Sequence, residues 1–369
     1  MTAIPHHREE DHLHYRGVDK AEEHISVERA LKILLDSITP VKKAETLAVL
    51  SANNRVLFRD VKSPSDLPKR ARSTRDGYAV NADRRVLKNS FKIVGGVGIG
   101  ILPKMSLKPG EAVRIATGSY TPSGSNAVVM VEYVKVDGNT LRVDREIKDN
   151  ENILQPGEDF GRGQIILSRG ARIRPQHVAL FSMLGIGSVR VFSKPRIAFF
   201  STGDELTDVK RAPRDSKKIQ IFDANRPFIA SMISELGGLP VDLGIARDNF
   251  DQIKAKMLAG LDRCDALILS AGSSVGEKDY VLRAANSITK VKILVHGVAM
   301  RPSSPTGLAS FNGKLFILLP GFPTSAIVAF LVFARPAILK KSGSASTEPS
   351  MIKVELADEY NARKGITHF

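Results

Sequence analysis

Cysteine and tryptophan are almost absent from this chain of 369 residues, and each absence argues against certain classes of protein. The single cysteine, Cys264, excludes an internal disulfide and fits a reducing cytoplasm. Tryptophan is missing and aromatic residues make up only 6%, which argues against a base-stacking platform for nucleic acid. No apolar stretch of about 18 residues is free of charge, so no membrane-spanning helix is predicted. The N-terminal residues contain no apolar segment typical of a secretory signal.

Acidic residues are fewer than basic residues in this chain. Lysine and arginine number 54 against 39 aspartates and glutamates, which gives a net charge of +15. A basic protein attracts anionic partners through its long-range field. The excess is spread out, with no basic helix and no alternation of aromatic and basic residues, so specific nucleic-acid binding is not expected. A small, highly charged anionic ligand fits the charge at least as well.

The N-terminal part combines a polar tail with a predicted helix. Residues 1–24 are rich in His and Glu, and we interpret them as a flexible tail, although the histidines could also form a metal-binding tract. Ser26 is the predicted N-cap of a helix that ends before Pro40. The apolar residues of this helix follow the spacing of one buried face and are Val27, Ala30, Leu31, Leu34 and Leu35. A second short helical piece is predicted at 47–50, ended by a left-handed turn at 53–54.

Two further regions differ in their periodicity. Residues 61–157 contain short β-rich runs between Gly-rich and Pro-rich turns, which predicts a compact antiparallel β domain. The predicted strands are 77–80, 91–94, 112–115, 127–131 and 141–143. A helix is predicted over 175–184.

Strands and helices alternate from residue 196 onward, which predicts a doubly wound, mostly parallel sheet. The predicted strands are 196–200, 241–246, 266–270, 291–295 and 314–319. The predicted helices are 226–236, one capped by Asp248 or Asn249, 279–287 and 324–339. A new strand is predicted to start at Met351.

Loops rich in glycine, hydroxyl groups and charge follow these strands. Because ligands bind beyond the carboxyl ends of parallel strands, five such loops favour a binding site at this edge. Gly272 and Gly276 would let backbone N–H groups approach an oxyanion, and the hydroxyls of Ser270, Ser273 and Ser274 could donate to it. Arg301 adds a planar cation.

Carboxylates in the same loops suggest a metal site. Glu205, Asp248 and Asp279 could hold Mg²⁺, which often bridges protein carboxylates and substrate phosphates. For Asp248 alone, helix capping is the alternative interpretation. The sequence has no P-loop, no dinucleotide-binding glycine motif after the first strand, no zinc motif and no nucleophile elbow, so those chemistries have no support.

Several of these motifs resemble those of one family, the molybdopterin molybdenumtransferases, which include MoeA and the gephyrin E domain. Residues 198–206 are similar to the family's STGDEL signature, and residues 76–80 are similar to its DGYA motif. Further similar runs are 115–118 with 124 and 127–130, 157–159 with 163, 274–276 with 279–280, and 319–321 with 323 and 325. The resemblance runs in order from about residue 26 to residue 369.

The resemblance implies a multidomain α/β fold with a doubly wound sheet domain, a β-rich domain and an elongated mixed α+β linking domain. The implied divisions are 25–60 with 158–195 for the linking domain, 61–157 for the β-rich domain, 196–340 for the molybdopterin-binding-like α/β domain, and 346–369 for the start of a truncated C-terminal β domain. It also implies an elongated homodimer. Each active site would lie between the α/β domain of one subunit and the β-rich parts of the other.

The implied reaction is the insertion of molybdate, or tungstate, into adenylylated molybdopterin with Mg²⁺ and release of AMP. The adenylyltransferase of the same pathway is a candidate protein partner. The implied catalytic residues are Thr117, Asp159, Glu205, Asp248, Asp279 and Arg301, and the metal ligands are Glu205, Asp248 and Asp279. The implied substrate-binding residues are Ser201, Thr202, Gly203, Gly272, Ser273, Ser274, Gly276, Ser304, Pro320, Gly321, Pro323 and Ser325.

Several positions depart from the family pattern. The aromatic–Asp pair before DGYA is replaced by residues 70–71, Arg and Ala, and the family's "KPGKP" loop keeps one cation at Arg301 but has Ser304 in place of the other. Ala271 replaces a glycine and Phe322 replaces an asparagine. A catalytically degenerate paralogue that acts as a molybdopterin-binding or scaffold protein is therefore the alternative interpretation, and specialisation for tungstate is another.

Overall fold

The structure, a computed structural model, describes residues 24–83, 89–209, 221–271, 280–348 and 351–369. The chain divides into two compact units. The insert unit comprises Lys42–Ser193 with Gly343–Ala345. The α/β unit comprises the residues up to Val41 together with Lys194–Ser342 and Ser346–Phe369. The sequence of the α/β unit is thus interrupted by the insert unit.

Among the described residues, helices are concentrated in the α/β unit, and one helix, the second along the chain, belongs to the insert unit. The helices of the described residues are α1 (Val27–Asp36), α2 (Pro175–Met183), α3 (Asn225–Glu235), α4 (Phe250–Arg263), α5 (Tyr280–Ser287), α6 (Pro323–Ala329) and α7 (Arg335–Lys341). A π-helical turn, Phe330–Ala334, joins α6 to α7, where the sequence predicts one continuous helix.

The insert unit contains twelve of the described strands. They are β1 (Ala44–Ala48), β2 (Val61–Lys62), β3 (Arg72–Ser73), β4 (Gly77–Val80), β5 (Ser90–Val97), β6 (Glu111–Ile115), β7 (Ala127–Met130), β8 (Val134–Asp137), β9 (Thr140–Val143), β10 (Ile153–Leu154), β11 (Ile165–Leu167) and β12 (Ser188–Phe192). Six of them form a sheet in the order β7-β4-β6-β5-β9-β8.

The prediction of a purely antiparallel β domain is wrong at one pair. β5 and β6 run parallel, whereas the other neighbours in the sheet are antiparallel. The chain between them, residues 98–110, is long enough to return to the starting edge, as a parallel connection requires. The strand residues alternate between the two faces: Ala79 and Val113 pack in one core, and Val80 and Ala112 pack in another.

A second core of the insert unit joins segments that are distant in sequence. Leu57, Ile173, Phe181 and Val191 are buried together in it. The predicted helix at 47–50 is wrong, because this segment continues from β1 into a short 3₁₀ turn, Val49–Ser51. β1 pairs with β12 along its whole length, so tertiary pairing overrides the local apolar pattern. The predicted left-handed turn is confirmed at Asn54, whose φ is 65°.

The α/β unit contains the remaining described strands. They are β13 (Arg196–Thr202), β14 (Leu206–Thr207), β15 (Ile221–Phe222), β16 (Leu239–Ala246), β17 (Ala266–Ala271), β18 (Val291–His296), β19 (Met300–Arg301), β20 (Gly307–Phe311), β21 (Lys314–Pro320) and β22 (Thr367–His368). Six form a sheet in the order β16-β13-β17-β21-β20-β18. Only β20, which the sequence pattern did not predict, runs antiparallel to both of its neighbours.

Both faces of this sheet are covered by helices, which confirms the prediction of a doubly wound, mostly parallel sheet. Ile197 and Phe199 of β13 pack in a core with α1, α3, α6 and α7. Ala198 and Phe200 point to the opposite face and pack in a core with α4 and α5. A strand that is buried on both faces shows a continuous apolar run, as β13 does.

Helix α1 is confirmed, together with its cap. The Oγ atom of Ser26 accepts a hydrogen bond from the backbone N–H of Arg29 at 3.3 Å. The apolar face of α1, with Ala30 and Leu34 fully buried, packs in the sheet core that also contains Phe333. The residues expected to form one linking segment at 25–60 are therefore divided between the two units after Val41.

The helical run Pro323–Lys341 is the one candidate in the described ranges that is long and apolar enough to cross a membrane, judged by length and composition. Half of its most apolar window is buried inside the protein. Phe330, Phe333 and Ile338 have no exposed surface and lie in the core beneath the sheet. The run is thus a core helix of the α/β unit.

The predicted strand at Met351 is wrong. Residues 351–356 are exposed and have no regular structure, so no partner strand protects their backbone. The described part of the C-terminal segment contributes only β22, which pairs in parallel with β19.

Candidate functional site

The central strands of the α/β unit create a crevice at their carboxyl ends. From β13 the chain passes through α3 to β16 on one side of β13, and then through α4 to β17 on the other side. The order of strands therefore reverses between β13 and β17, and such a switch point is where open α/β sheets bind ligands.

Ser201 and Thr202 end β13 and are buried at this crevice. The Oγ atom of Ser201 lies 3.1 Å from Oδ1 of Asp223. Gly203 follows, and its N–H donates to the carbonyl oxygen of Ala246 at the end of β16, at 3.1 Å. The three predicted substrate-binding residues of this strand thus lie at the switch point.

Carboxylates gather beside Gly203. The N–H of Asp248 donates to Oδ1 of Asp204 at 3.2 Å, and a guanidinium N–H of Arg247 donates to the carbonyl oxygen of Asp204 at 2.7 Å. The pKa of Asp248 is raised, first because its carboxylate is partly withdrawn from solvent and then because the carboxylates of Asp204 and Glu205 repel its charge. Two predicted metal ligands, Glu205 and Asp248, therefore interact electrostatically.

The capping interpretation of Asp248 is wrong. Asn249 is the N-cap of α4, and its side chain accepts from the N–H of Gln252 at 3.0 Å. Asp248 precedes the cap and remains available to the crevice.

The predicted metal site is incomplete within the described residues. In the ranges given above, no group of three or more His, Cys, Asp or Glu side chains could hold a metal ion. Asp279, the third predicted ligand, lies outside the described residues, as do Gly272, Ser273, Ser274 and Gly276.

A buried polar cluster lies at the ends of β17 and β21, and the sequence reasoning missed its central residue, Asn225. Nδ2 of Asn225 lies 2.6 Å from Oγ of Ser270 and 2.7 Å from the carbonyl oxygen of Gly321. Oγ of Ser270 lies 3.2 Å from the carbonyl oxygen of Pro320. The ends of β17 and β21 are thereby connected through the first residue of α3.

Asp223 and Arg226 extend this cluster toward β13 and β16. Oδ1 of Asp223 accepts from the backbone N–H of Arg226 at 3.1 Å, in addition to Ser201. The guanidinium of Arg226 pairs with Asp208 and lies 3.3 Å from Oδ1 of Asp242. The signal in the sequence was three polar residues, Asp223, Asn225 and Arg226, at the start of a helix with an apolar face.

The loop that carries Arg301 and Ser304 lies at the same edge of the sheet. Gly307, which follows it, pairs with Leu318 near the end of β21. Oγ of Ser303 donates to the carbonyl oxygen of Ser325 at 2.6 Å, and Ser303 itself has a φ of 88°. Arg301 is exposed and Ser304 is half-buried.

The loop after β21 holds the other predicted substrate-binding residues. Pro320 is buried at the end of the strand, and Gly321 is half-buried beyond it. Pro323 is the first residue of α6, where its missing N–H has no intrahelical partner to lose. Ser325 lies in the first turn of the same helix and contacts the Arg301 loop through its carbonyl oxygen.

Thr117 and Asp159 both lie in the insert unit. The N–H of Thr117 donates to Oδ1 of Asp76 at 2.9 Å, which connects it to the motif at 76–80. Oδ2 of Asp159 lies 3.7 Å from a guanidinium nitrogen of Arg72, and Ser73 bonds to the backbone of the loop after Thr117. Both predicted residues are therefore positioned around β3.

The insert unit also has a cavity of about 380 Å³ at one end of its sheet. Asp76, Gly96, Arg114 and Ala116 are among the residues that line it. Asp76 thus lies both at this cavity and against Thr117.

Comparisons with known proteins give one consistent answer. Residues 25–185 match the MoeA N-terminal region (domain I and II), and residues 198–340 match the probable molybdopterin binding domain. The molybdopterin molybdenumtransferase of Staphylococcus aureus (strain COL) is 30% identical over 334 residues, which cover 88% of this chain and 78% of the relative. The enzyme of the same name from Nostoc sp. is 31% identical over 341 residues, which cover 89% and 77%. A crystal structure of the molybdopterin biosynthesis MoeA protein from Pyrococcus horikoshii OT3 is similar with a TM-score of 0.79 and 27% identity, and the match covers 94% of this chain and 86% of that one.

Proposed function

The chain belongs to the molybdopterin molybdenumtransferase family, and on this premise we propose that it inserts molybdate or tungstate into adenylylated molybdopterin with release of AMP. The substrates supply the dithiolene sulfurs, the phosphoanhydride and the metal oxyanion. The protein positions them and stabilises their charge.

The observation that carries the proposal is the crevice at the switch point of the α/β sheet. It lies within the segment that matches a probable molybdopterin binding domain. Ser201, Thr202 and Gly203 end β13 there, and the loops with Arg301 and Pro320 lie along the same edge. The net charge of +15 favours a polyanionic substrate.

The alternative of a degenerate paralogue is not favoured, because both regions match and the named relatives are transferases. That alternative rests on substitutions of family residues, such as those at Ser304 and Phe322. Both residues lie in loops held to the sheet: the carbonyl oxygen of Ser304 accepts from the N–H of Val298 at 2.9 Å, and Phe322 is the N-cap of α6. Both substitutions thus lie in loops whose backbone is anchored by its own contacts.

We propose that Glu205, Asp248 and Asp279 hold Mg²⁺. These side chains fit Mg²⁺, because it prefers carboxylate oxygens. The pKa of Asp248 is raised by burial first and then by the negative charge of Asp204 and Glu205. When bound, the cation would neutralise phosphate and oxyanion charge. Arg301 contributes a positive charge at the same edge of the sheet.

A homodimer in the cytoplasm, with the adenylyltransferase of the pathway as a partner, completes the proposal. Support comes from the resemblance, which implies that Thr117 and Asp159 of one copy serve the α/β unit of the other. Mixing an Asp159→Ala protein with an Asp279→Ala protein, each inactive alone, should restore activity. Exchange of subunits without recovery would contradict shared sites.

The direct test is AMP release. Purified protein incubated with adenylylated molybdopterin, molybdate and Mg²⁺ should release AMP, which chromatography quantifies. Omission of molybdate is the control. Pterin binding by calorimetry without any AMP release would support the scaffold alternative instead.

A further inference from the structure

Asn225 connects the ends of two central strands through a single side-chain atom. Its Nδ2 lies 2.6 Å from Oγ of Ser270, near the end of β17, and 2.7 Å from the carbonyl oxygen of Gly321, directly after β21. Asn225 and Ser270 are only 7% and 2% exposed. Because these groups are buried, water cannot readily replace a lost bond.

The partners of Nδ2 require a group that donates two hydrogens. The carbonyl oxygen of Gly321 can only accept. Ser270 gives its own hydrogen to the carbonyl oxygen of Pro320, at 3.2 Å, so its oxygen must accept from Asn225. An amide NH₂ group supplies both hydrogens from one neutral atom. A carboxylate oxygen of an aspartate at the same place has no hydrogen, so it would repel the carbonyl oxygen of Gly321 instead of bonding to it.

The anchored end of β21 is the point where a predicted substrate-binding loop leaves the sheet. This loop carries Pro323 and Ser325. It is connected in turn to the Arg301 loop, through the hydrogen bond from Ser303 to Ser325. The amide of Asn225 therefore fixes where these two loops start relative to the end of β17.

We propose that Asn225 is a positioning residue for the transfer reaction: its amide fixes the separation of the two strand ends and thereby the placement of the loop after β21 and of the Arg301 loop bonded to it. This inference rests on the proposed function, which assigns those loops to the substrate. Reacting groups that are displaced by about 1 Å can lose roughly a hundredfold in rate. We therefore expect variants of Asn225 to change kcat more than KM.

The test compares kinetics of AMP release by the wild-type chain and the variants Asn225→Asp, Asn225→Ala and Ser342→Ala. Ser342 is 5% exposed and donates to the carbonyl oxygen of Ile338 at 2.8 Å, so its variant removes a buried hydrogen bond of the same unit away from the loops. We expect kcat to fall about ten- to a hundredfold in Asn225→Asp, less in Asn225→Ala, with a smaller change in KM. Ser342→Ala should lower the melting temperature by about 2–4 °C and leave kcat unchanged.

The outcomes separate this inference from the function on which it rests. A wild-type chain that releases no AMP overturns the proposed function and this inference with it. An active wild type whose Asn225→Asp variant keeps its kcat overturns only the inference. Equal losses of kcat in the Asn225 variants and in Ser342→Ala would also overturn it, since they would show a merely structural role. If Asn225→Asp does not fold, Ser270→Ala removes one of the two acceptors and should show the same loss of kcat with a small change in KM.

Discussion

Gly77 has no room for a larger side chain, and this makes its substitution a sharp test of the insert unit. A Cβ atom added to Gly77 would lie 2.0 Å from the carbonyl oxygen of Val129 and 3.0 Å from Cα of Met130. Both residues belong to β7, which pairs with β4 at the edge of the sheet. An ordinary contact between carbon and oxygen is about 3.3 Å, so β7 would have to move away by more than about 1 Å.

The cost follows from that displacement. Backbone hydrogen bonds of about 2.9 Å would stretch toward 4 Å, beyond bonding range. Losing two of them costs about 2 kcal/mol, and the strain of the extra carbon adds about 1–3 kcal/mol. Gly77→Ala should therefore destabilise the insert unit by about 3–5 kcal/mol, which lowers its melting temperature by roughly 6–20 °C.

Differential scanning calorimetry of Gly77→Ala and Gly187→Ala would check this result. Gly187 lies in the same unit and has a φ outside the left-handed region, and a Cβ atom added to it would meet no other atom within 4 Å. Its substitution should therefore change stability by less than about 0.5 kcal/mol. Equal melting temperatures for the two variants would refute the steric argument. Because Asp76 precedes Gly77 and accepts from the N–H of Thr117, Gly77→Ala should also lower activity.

Two predictions concern the α/β unit. Ser304→Lys should add a charge-assisted contact and tighten the binding of molybdate or tungstate about ten- to a hundredfold, whereas Arg301→Ala should abolish measurable binding. Titration calorimetry with either oxyanion measures both affinities. If neither variant changes the affinity, this loop is not the oxyanion site. Asp248→Asn should stabilise the protein at pH 7 by less than about 1 kcal/mol, because the pKa of Asp248 is raised in the folded state. Its deprotonation therefore favours the unfolded state, and this cost grows as the pH rises from the unfolded pKa to the folded pKa and is complete above the latter. The gain should vanish near pH 3, where the carboxyl is protonated in both states, and thermal melts that show the same gain at both values would contradict the argument.

Most of the fold could be predicted because local signals and tertiary packing agree. Ser26 and the apolar spacing after it predict α1, and the structure buries Ala30 and Leu34. The predictions fail where packing decides. The backbone of the segment with Leu47 pairs with Val189 of β12, a contact that no local pattern reveals.

The site could be predicted only in part. The ends of β13 and β21 were identifiable, since glycine and hydroxyl residues follow apolar strands there. Asn225 was missed because its function as a double donor depends on Ser270 and Gly321, which are far from it in sequence. β20 was missed because its small residues, such as Gly307 and Ala309, have no pronounced strand pattern.

The interruption of the α/β unit has a consequence for its synthesis. Lys340 donates to the carbonyl oxygen of Leu35 at 2.8 Å, and 305 residues separate the two. At about 5–20 residues per second, the partners of α1 leave the ribosome roughly 15–60 s after α1 itself. A helix of 10 residues has only marginal stability by itself in water. During this interval α1 therefore lacks its packing partners, while the insert unit can fold. We therefore expect the ribosome-bound chain to acquire protease resistance in the insert unit first, and at α1 only after α7 has emerged.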